Sequence, residues 1–225
     1  TYAEKTKKIV VNIDKEQLNN LNLDFDLIIN QDINYFIKDL LKIEVKESPK
    51  EIFEGIKELN WYRPVEESKP NPNIFFKELT LKSPESSAFI IDGGGTALYA
   101  GFQSAHIKEE QRIICSSAIS AMGTGLGEVI GVHNAKQFKK LFCIIGDGSF
   151  LMNIQDLQTI RSQNIPVIIS VINNNGYLAI RHTQTEFLSG KLYGTHPDWS
   201  LEMPSIEKLA SGFDIPFCKL DNKKD

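Results

Sequence analysis

In the run Ile144-Ile145-Gly146-Asp147-Gly148-Ser149, an aspartate stands where an apolar stretch gives way to glycine and serine. A buried strand there delivers a carboxylate onto a turn that opens a helix carrying Leu157 and Ile160. Backbone amides of Gly148 and Ser149 at that helix start suit an anionic phosphate, and Asp147 suits a hard cation that neutralises it. An ordinary Asp-Gly turn uses the same residues. Asn174 follows Asp147 by 27 residues, in Asn173-Asn174-Asn175-Gly176 after the next apolar run. One helix and one strand fill that interval, so both side chains reach one edge of a parallel sheet on neighbouring strands. The Asp147 carboxylate, the Asn174 side-chain carbonyl and a backbone carbonyl at Gly176 supply three oxygens. Two phosphate oxygens and a water then complete an octahedron, the geometry magnesium prefers. A plain polar turn after a strand also favours Asn and Gly, for conformational reasons alone.

The elements that would hold these residues repeat one grammar. Ala88 to Ile91 ends in Asp92-Gly93-Gly94-Gly95, and Arg112 to Cys115 ends in Ser116-Ser117; Leu141 to Ile145 ends in the Asp147 turn, and Val167 to Ile172 in the Asn174 turn. Each short β-rich run is followed by a helical pattern, which predicts an α/β fold: a doubly wound parallel sheet with helices on both faces. All four clusters of small residues then fall on the carboxyl edge, where such sheets bind ligands. Upstream, residues 1–45 read as strands at Ile9 to Ile13 and Leu27 to Ile29, and a helix capped by Asp32 with Ile33, Phe36, Ile37, Leu40 and Leu41 at helical spacing. That piece is too small to cover both faces of a sheet and reads as a small α/β remnant of a preceding domain. Residues 46–86, rich in prolines and charges, read as a surface linker with a helix from Ser48-Pro49 through Tyr62, and 87–225 as the main domain. The chain opens at Thr1 with a strand soon under way and no leader, which reads as a piece cut from something longer.

Composition narrows the class of partner. The 225 residues are 41% hydrophobic and 24% charged, with 25 basic and 29 acidic side chains and a net charge of -4. That balance argues against a chain-wide footprint for nucleic acid or an anionic membrane, and no apolar run reaches a membrane span. Cys115, Cys143 and Cys218 form no CxxC pair, so a reducing cytoplasm is the expected setting.

GDGS followed by NNNGY at this spacing resembles the diphosphate-binding motif of thiamine-diphosphate-dependent enzymes. Ala121-Met122-Gly123-Thr124-Gly125-Leu126-Gly127-Glu128-Val129-Ile130-Gly131 is similar to the Met-Gly helix start of their acetolactate synthase and pyruvate oxidase group. Pro204-Ser-Ile-Glu-Lys-Leu-Ala210 is similar to the helix that follows the cofactor motif. The resemblance implies thiamine diphosphate with Mg²⁺ on Asp147, Asn174 and Gly176. It gives Met122 the task of holding the cofactor in a bent V, with Met122 N–H and Ser120 C=O facing its aminopyrimidine. Gly94, Gly95 and Thr96 stand where the group carries Gly-Gln-His against the diphosphate, and Gly148, Ser149 and Tyr177 complete the cofactor contacts. The glutamate that activates the aminopyrimidine belongs to another domain in this group, usually the neighbouring subunit's, and has no counterpart here. Residues 1–45 then correspond to the end of the group's central domain, and Asp225 precedes its final strand and helix.

The activity so implied is decarboxylation of a 2-oxo acid with carboligation to a second carbonyl acceptor, by a homodimer or homotetramer. Simple 2-oxo acid decarboxylation is the alternative, in surface sugar or phosphonate synthesis among other settings; a non-catalytic phosphate-binding module needs neither Met122 nor Asn174. A tryptophan that recurs near Thr183 in acetolactate synthases is absent. His182 and Thr183 follow Tyr177 on a helix at the expected substrate entrance. Glu128 replaces a usual alanine and is not expected to act, and His106, His133 and His196 read as solvated or without a partner.

Overall fold

The computed structural model describes residues 6–22, 24–43, 70–93, 95–116 and 119–221. The chain divides into two compact units, Thr1–Trp61 and Tyr62–Asp225. In the first, strands β1 (Ile9–Asn12) and β2 (Leu27–Asn30) pair in parallel with Ile9 opposite Leu27. Helix α1 (Lys15–Asn19) follows β1 and α2 (Ile33–Leu40) follows β2; each starts on an aspartate, Asp14 or Asp32, whose side chain accepts from the first-turn amides. The sequence pattern anticipates α2 and its cap but not α1, whose five residues carry too little periodicity. Leu18 is the buried apolar side chain among this unit's described residues. The helix expected between Pro49 and Tyr62 lies outside the described residues.

The second unit begins with α3 (Pro72–Lys82), capped by Asn71 with proline in its first position, within the stretch that reads as a linker. Its Phe76 and Thr80 are buried. There follow β3 (Ser87–Asp92), α4 (Thr96–Ser104), β4 (Arg112–Ile114), α5 (Gly125–Ala135), β5 (Lys140–Gly146), α6 (Asp147–Met152), α7 (Asp156–Ser162), β6 (Val167–Ile172), α8 (Leu178–Phe187), a 3₁₀ turn (Pro197–Trp199) and α9 (Ile206–Gly212). The four strands form one parallel sheet in the order β4-β3-β5-β6.

Strand β5 is buried on both faces, as its unbroken run Leu141 to Ile145 requires. Leu141, Cys143 and Ile145 join Ala88 and Ile90 beneath Leu126 and Val129 of α5 and Leu157 and Ile160 of α7. Phe142 and Ile144 join Phe89 and Ile91 on the other face, under Phe76 of α3 and Ala97 and Ala100 of α4. Phe89 and Phe142 stack with ring centroids 5.3 Å apart. The sheet is therefore wound on both sides, as the repeated strand-then-helix pattern predicts. Because β3 is followed by a neighbour on one side and β5 lies on its other side, the winding reverses between β3 and β5. Loops leaving these two strands diverge there and open a crevice at the carboxyl edge.

One local expectation is corrected. The helix predicted to run from Gly148 through Ile160 is two helices, α6 and α7, broken at residues 153–155. Asn153 leaves the helix with φ -132° and its Nδ2 donates to Gly123 C=O at 2.7 Å, so the break ties α6 to the loop before α5. Among the described residues no helix is long and apolar enough to cross a membrane.

Candidate functional site: a carboxylate and an unpartnered amide at the sheet edge

Gly146 pairs with Ile172 across β5 and β6, so the residues that follow these strands start level on the same rim. The cleft there is lined by Met122, Gly146, Asp147, Gly148, Ser149, Asn174, Gly176, Tyr177 and the first turn of α8. Ser120 lines a neighbouring recess with Asp92, Gly93, Cys115 and Thr124. Gly95, with φ +83°, caps α4; a Cβ there would touch Leu178 Cβ at 3.4 Å, which places the β3 loop beside α8. Thr96 is the first residue of α4, and Gly94 lies outside the described residues.

Asp147 is almost completely buried, and both of its oxygens are engaged. Oδ1 accepts from Gly148 N–H and Oδ2 from Gly176 N–H, each at 2.9 Å. Burial raises its proton affinity, and the amides of Gly176 and Gly148, with those of Asn174 and Asn175, work against that. The Gly148 amide, expected to meet a phosphate, thus donates to its own neighbour's carboxylate here, while Gly176 presents its amide to Asp147. Close packing fixes the backbone at both glycines. A Cβ on Gly148 would stand 2.5 Å from the Tyr177 ring, and one on Gly176, where φ is +119°, would collide with Leu201 Cδ2.

One polar atom at this rim, Asn174 Oδ1, is buried without a hydrogen-bond partner, whereas the Ser149 hydroxyl lies within reach of the Asp92 carboxylate and helps to hold its proton affinity down. Orphaned buried groups are uncommon and costly, so this one beside a buried carboxylate fits a site shaped for a polar ligand. Among the described residues no three His, Cys, Asp or Glu side chains gather. A cation at this rim would therefore meet one carboxylate and otherwise neutral oxygens, and the balancing negative charge has to come from an anionic ligand.

A second carboxylate organises the opposite wall, and the sequence reading passed over it. Asp92, at the end of β3, accepts from Gly125 N–H at 2.8 Å and Gly123 N–H at 3.3 Å, holding the turn that carries Met122. Its signal was present, since Ile-Ile-Asp-Gly repeats the strand-then-aspartate pattern of Asp147. Gly123 has φ +89°, and a Cβ there would come within 2.7 Å of Met152 Cβ. Burial raises the proton affinity of Asp92, opposed by the Gly125 and Gly123 amides.

Glu128, in the first turn of α5, keeps Oε2 buried without a partner. Burial raises its pKa, the Thr124 hydroxyl lowers it, and the charge of Asp92 raises it again. The folded state therefore holds this proton more tightly than the unfolded chain. The stabilisation so gained is complete below the ordinary glutamate range, about 4.3, and is lost as pH rises through the elevated value. Glu128→Gln is expected to raise the melting temperature of the metal-free protein at neutral pH by about 2–4 °C, the scale of roughly 1 kcal/mol. The gain should shrink on acidification. Thermal melts from pH 4 to 8 check this, and a gain that is independent of pH overturns it.

Other expectations fall out as follows. Burial pushes the Cys143 and Cys115 thiols up, away from thiolate chemistry. His196, read as having no partner, caps the 3₁₀ turn: its Nδ1 accepts from Asp198 N–H at 3.2 Å. His106 places Nδ1 3.0 Å from Ser104 C=O, and its backbone amide donates to the buried Thr80 hydroxyl. Thr183 is exposed and donates to Ala179 C=O within α8.

The Asp147 carboxylate and the orphaned Asn174 amide oxygen thus share one cleft at the carboxyl edge of a doubly wound parallel sheet, on the turns that leave β5 and β6. The family described as thiamine pyrophosphate enzyme, C-terminal TPP binding domain, matches residues 92–225, and the chain belongs to it. The acetolactate synthase isozyme 2 large subunit of Escherichia coli is 30% identical over 142 residues, covering 63% of this chain and 25% of that protein. The acetolactate synthase large subunit of Pyropia yezoensis is 29% identical over 196 residues, with shares of 84% and 32%. That of Buchnera aphidicola subsp. Schizaphis graminum is 26% identical over 224 residues, with shares of 94% and 38%. The chain thus spans between a quarter and two fifths of the length of these relatives.

Proposed function

We propose that this chain holds thiamine diphosphate through a magnesium ion, and that the protein decarboxylates a 2-oxo acid and joins the remaining fragment to a second carbonyl compound. The unpartnered Asn174 Oδ1 beside the buried Asp147 is the observation that supports this most directly. The Asp147 carboxylate, the Asn174 side-chain oxygen and the Gly176 carbonyl are the ligands assigned to magnesium, an all-oxygen set in keeping with a hard cation. Ser149, which lines the same cleft, faces the diphosphate. Met122 stands in the same cleft and keeps the cofactor bent. When bound, the cofactor supplies the electron sink that lets a 2-oxo acid lose carbon dioxide. The chain's own residues place it, and the proton-handling glutamate is assigned to another domain, across a homodimer or homotetramer interface.

Product analysis with pyruvate as the sole substrate tests the reading. Acetolactate is expected; acetaldehyde alone would select simple decarboxylation. That second reading has one feature in its favour, the absence of the tryptophan that recurs near Thr183 in acetolactate synthases.

A further inference from the structure

We propose that Arg181 is a positioning residue for the cation-binding turn, pinning the outer side of Asn174 to Gly176 so that its inner side faces Asp147. This rests on the reading of that turn as the seat of magnesium and thiamine diphosphate.

Arg181 lies in α8, just after the turn. Its Nη1 donates to the carbonyls of Asn175 and Thr195, both at 2.9 Å, and its Nη2 donates to the carbonyl of Asn174 at 3.0 Å. A trans peptide unit points its C=O and N–H in opposite directions. The unit joining Asn175 to Gly176 is therefore held at both ends, its carbonyl by Arg181 and its amide by Asp147 Oδ2. The bond to Asn174 C=O fixes the backbone that carries the unpartnered Oδ1.

Thr195 closes the device. It is buried, its hydroxyl donates to Gln184 Oε1 on the same helix as Arg181, and its carbonyl stands 2.9 Å from where a Cβ on Gly176 would lie. The Gly176 backbone is thus enclosed between Asp147 inside and the Arg181–Thr195 pair outside. A planar guanidinium presents its donors in a rigid fork that reaches three carbonyls at once, which the compact ammonium of lysine does not reproduce.

The test titrates the intact protein with Mg²⁺ at fixed thiamine diphosphate by calorimetry, with circular dichroism and melting curves alongside. Arg181→Ala is expected to raise the Mg²⁺ concentration for half-saturation roughly ten- to a hundredfold. Arg181→Lys, which keeps the charge and the stem, is expected to recover less than half of that on a logarithmic scale. Millimolar guanidinium is expected to return Arg181→Ala towards wild type, an effect that general loosening of the fold would not show. Wild-type Mg²⁺ affinity in a folded Arg181→Lys overturns the proposal, even where Arg181→Ala does not fold. Wild-type protein that binds no better than Asp147→Ala instead defeats the cofactor reading, and the clamp's purpose with it.

Discussion

Asp147→Ala is expected to abolish magnesium-dependent binding of thiamine diphosphate. Asp147 is the carboxylate beside Asn174 among the described residues that line the cleft, so its loss leaves a cation there among neutral oxygens and removes the charge that links it to the protein. Breaking such a buried pair costs about 3–5 kcal/mol, roughly a hundred- to a thousandfold or more in affinity. Asn174→Ala removes a neutral ligand and should cost about 1–1.5 kcal/mol, near tenfold. Asp147 also receives the Gly148 and Gly176 amides, one on each oxygen, so Asp147→Asn keeps the side-chain size, removes the charge and turns one of those acceptors into an NH2 donor. Calorimetric titration of the intact protein with cofactor, with and without Mg²⁺, reads all three. Equal affinity for wild type and Asp147→Asn would sink the assignment.

The second large effect is an absence of turnover: residues 1–225 alone, supplied with thiamine diphosphate and Mg²⁺, should release no carbon dioxide from pyruvate above the uncatalysed rate. Decarboxylation with this cofactor needs a carboxylic acid to handle a proton at its aminopyrimidine. The family resemblance puts that acid in a domain other than the cofactor-binding one that matches residues 92–225. Within the cleft, the carboxylate of Asp147 is occupied on both oxygens. Glu128 is the internal rival, since burial raises its proton affinity and its Oε2 is buried without a partner. Carbon dioxide release by the isolated chain that disappears in Glu128→Gln would transfer the role to Glu128 and overturn the division of labour between domains.

The strands of the second unit were legible because two faces of one sheet were written into β5 and β3 as continuous apolar runs, and each ended in a small-residue turn. Asp147 and Asn174 were legible for the same reason, since strand register carries them to one rim. What escaped lay in contacts that periodicity does not encode. Arg181 has Tyr177, Leu178, Gln184 and Thr185 at helical spacing, none of them acidic, so nothing local marks it as structurally engaged. Its partners are backbone carbonyls, which have no residue type to read. The break between α6 and α7 was hidden likewise, because the apolar spacing of Leu157 and Ile160 continues past it, and the Asn153 bond to Gly123 that makes the break spans 30 residues. Asp14 before α1 was a readable cap followed by a helix too short to be read.

The placing of Asp147 between an early and a late partner has a consequence for the order in which the protein is made. β5 can pair with β3 as soon as it leaves the ribosome, but its other edge, and one oxygen of Asp147, wait for residues up to Gly176, 29 positions later. At roughly 5–20 residues per second of synthesis, that interval lasts about 1.5–6 s. Through it the nascent chain displays the unpaired edge of a strand that the finished fold buries on both faces, next to a carboxylate with half its partners unmade. Loss of β6 or its turn, by stalling or by a premature stop codon, leaves that edge open for good, in a form suited to strand-to-strand aggregation.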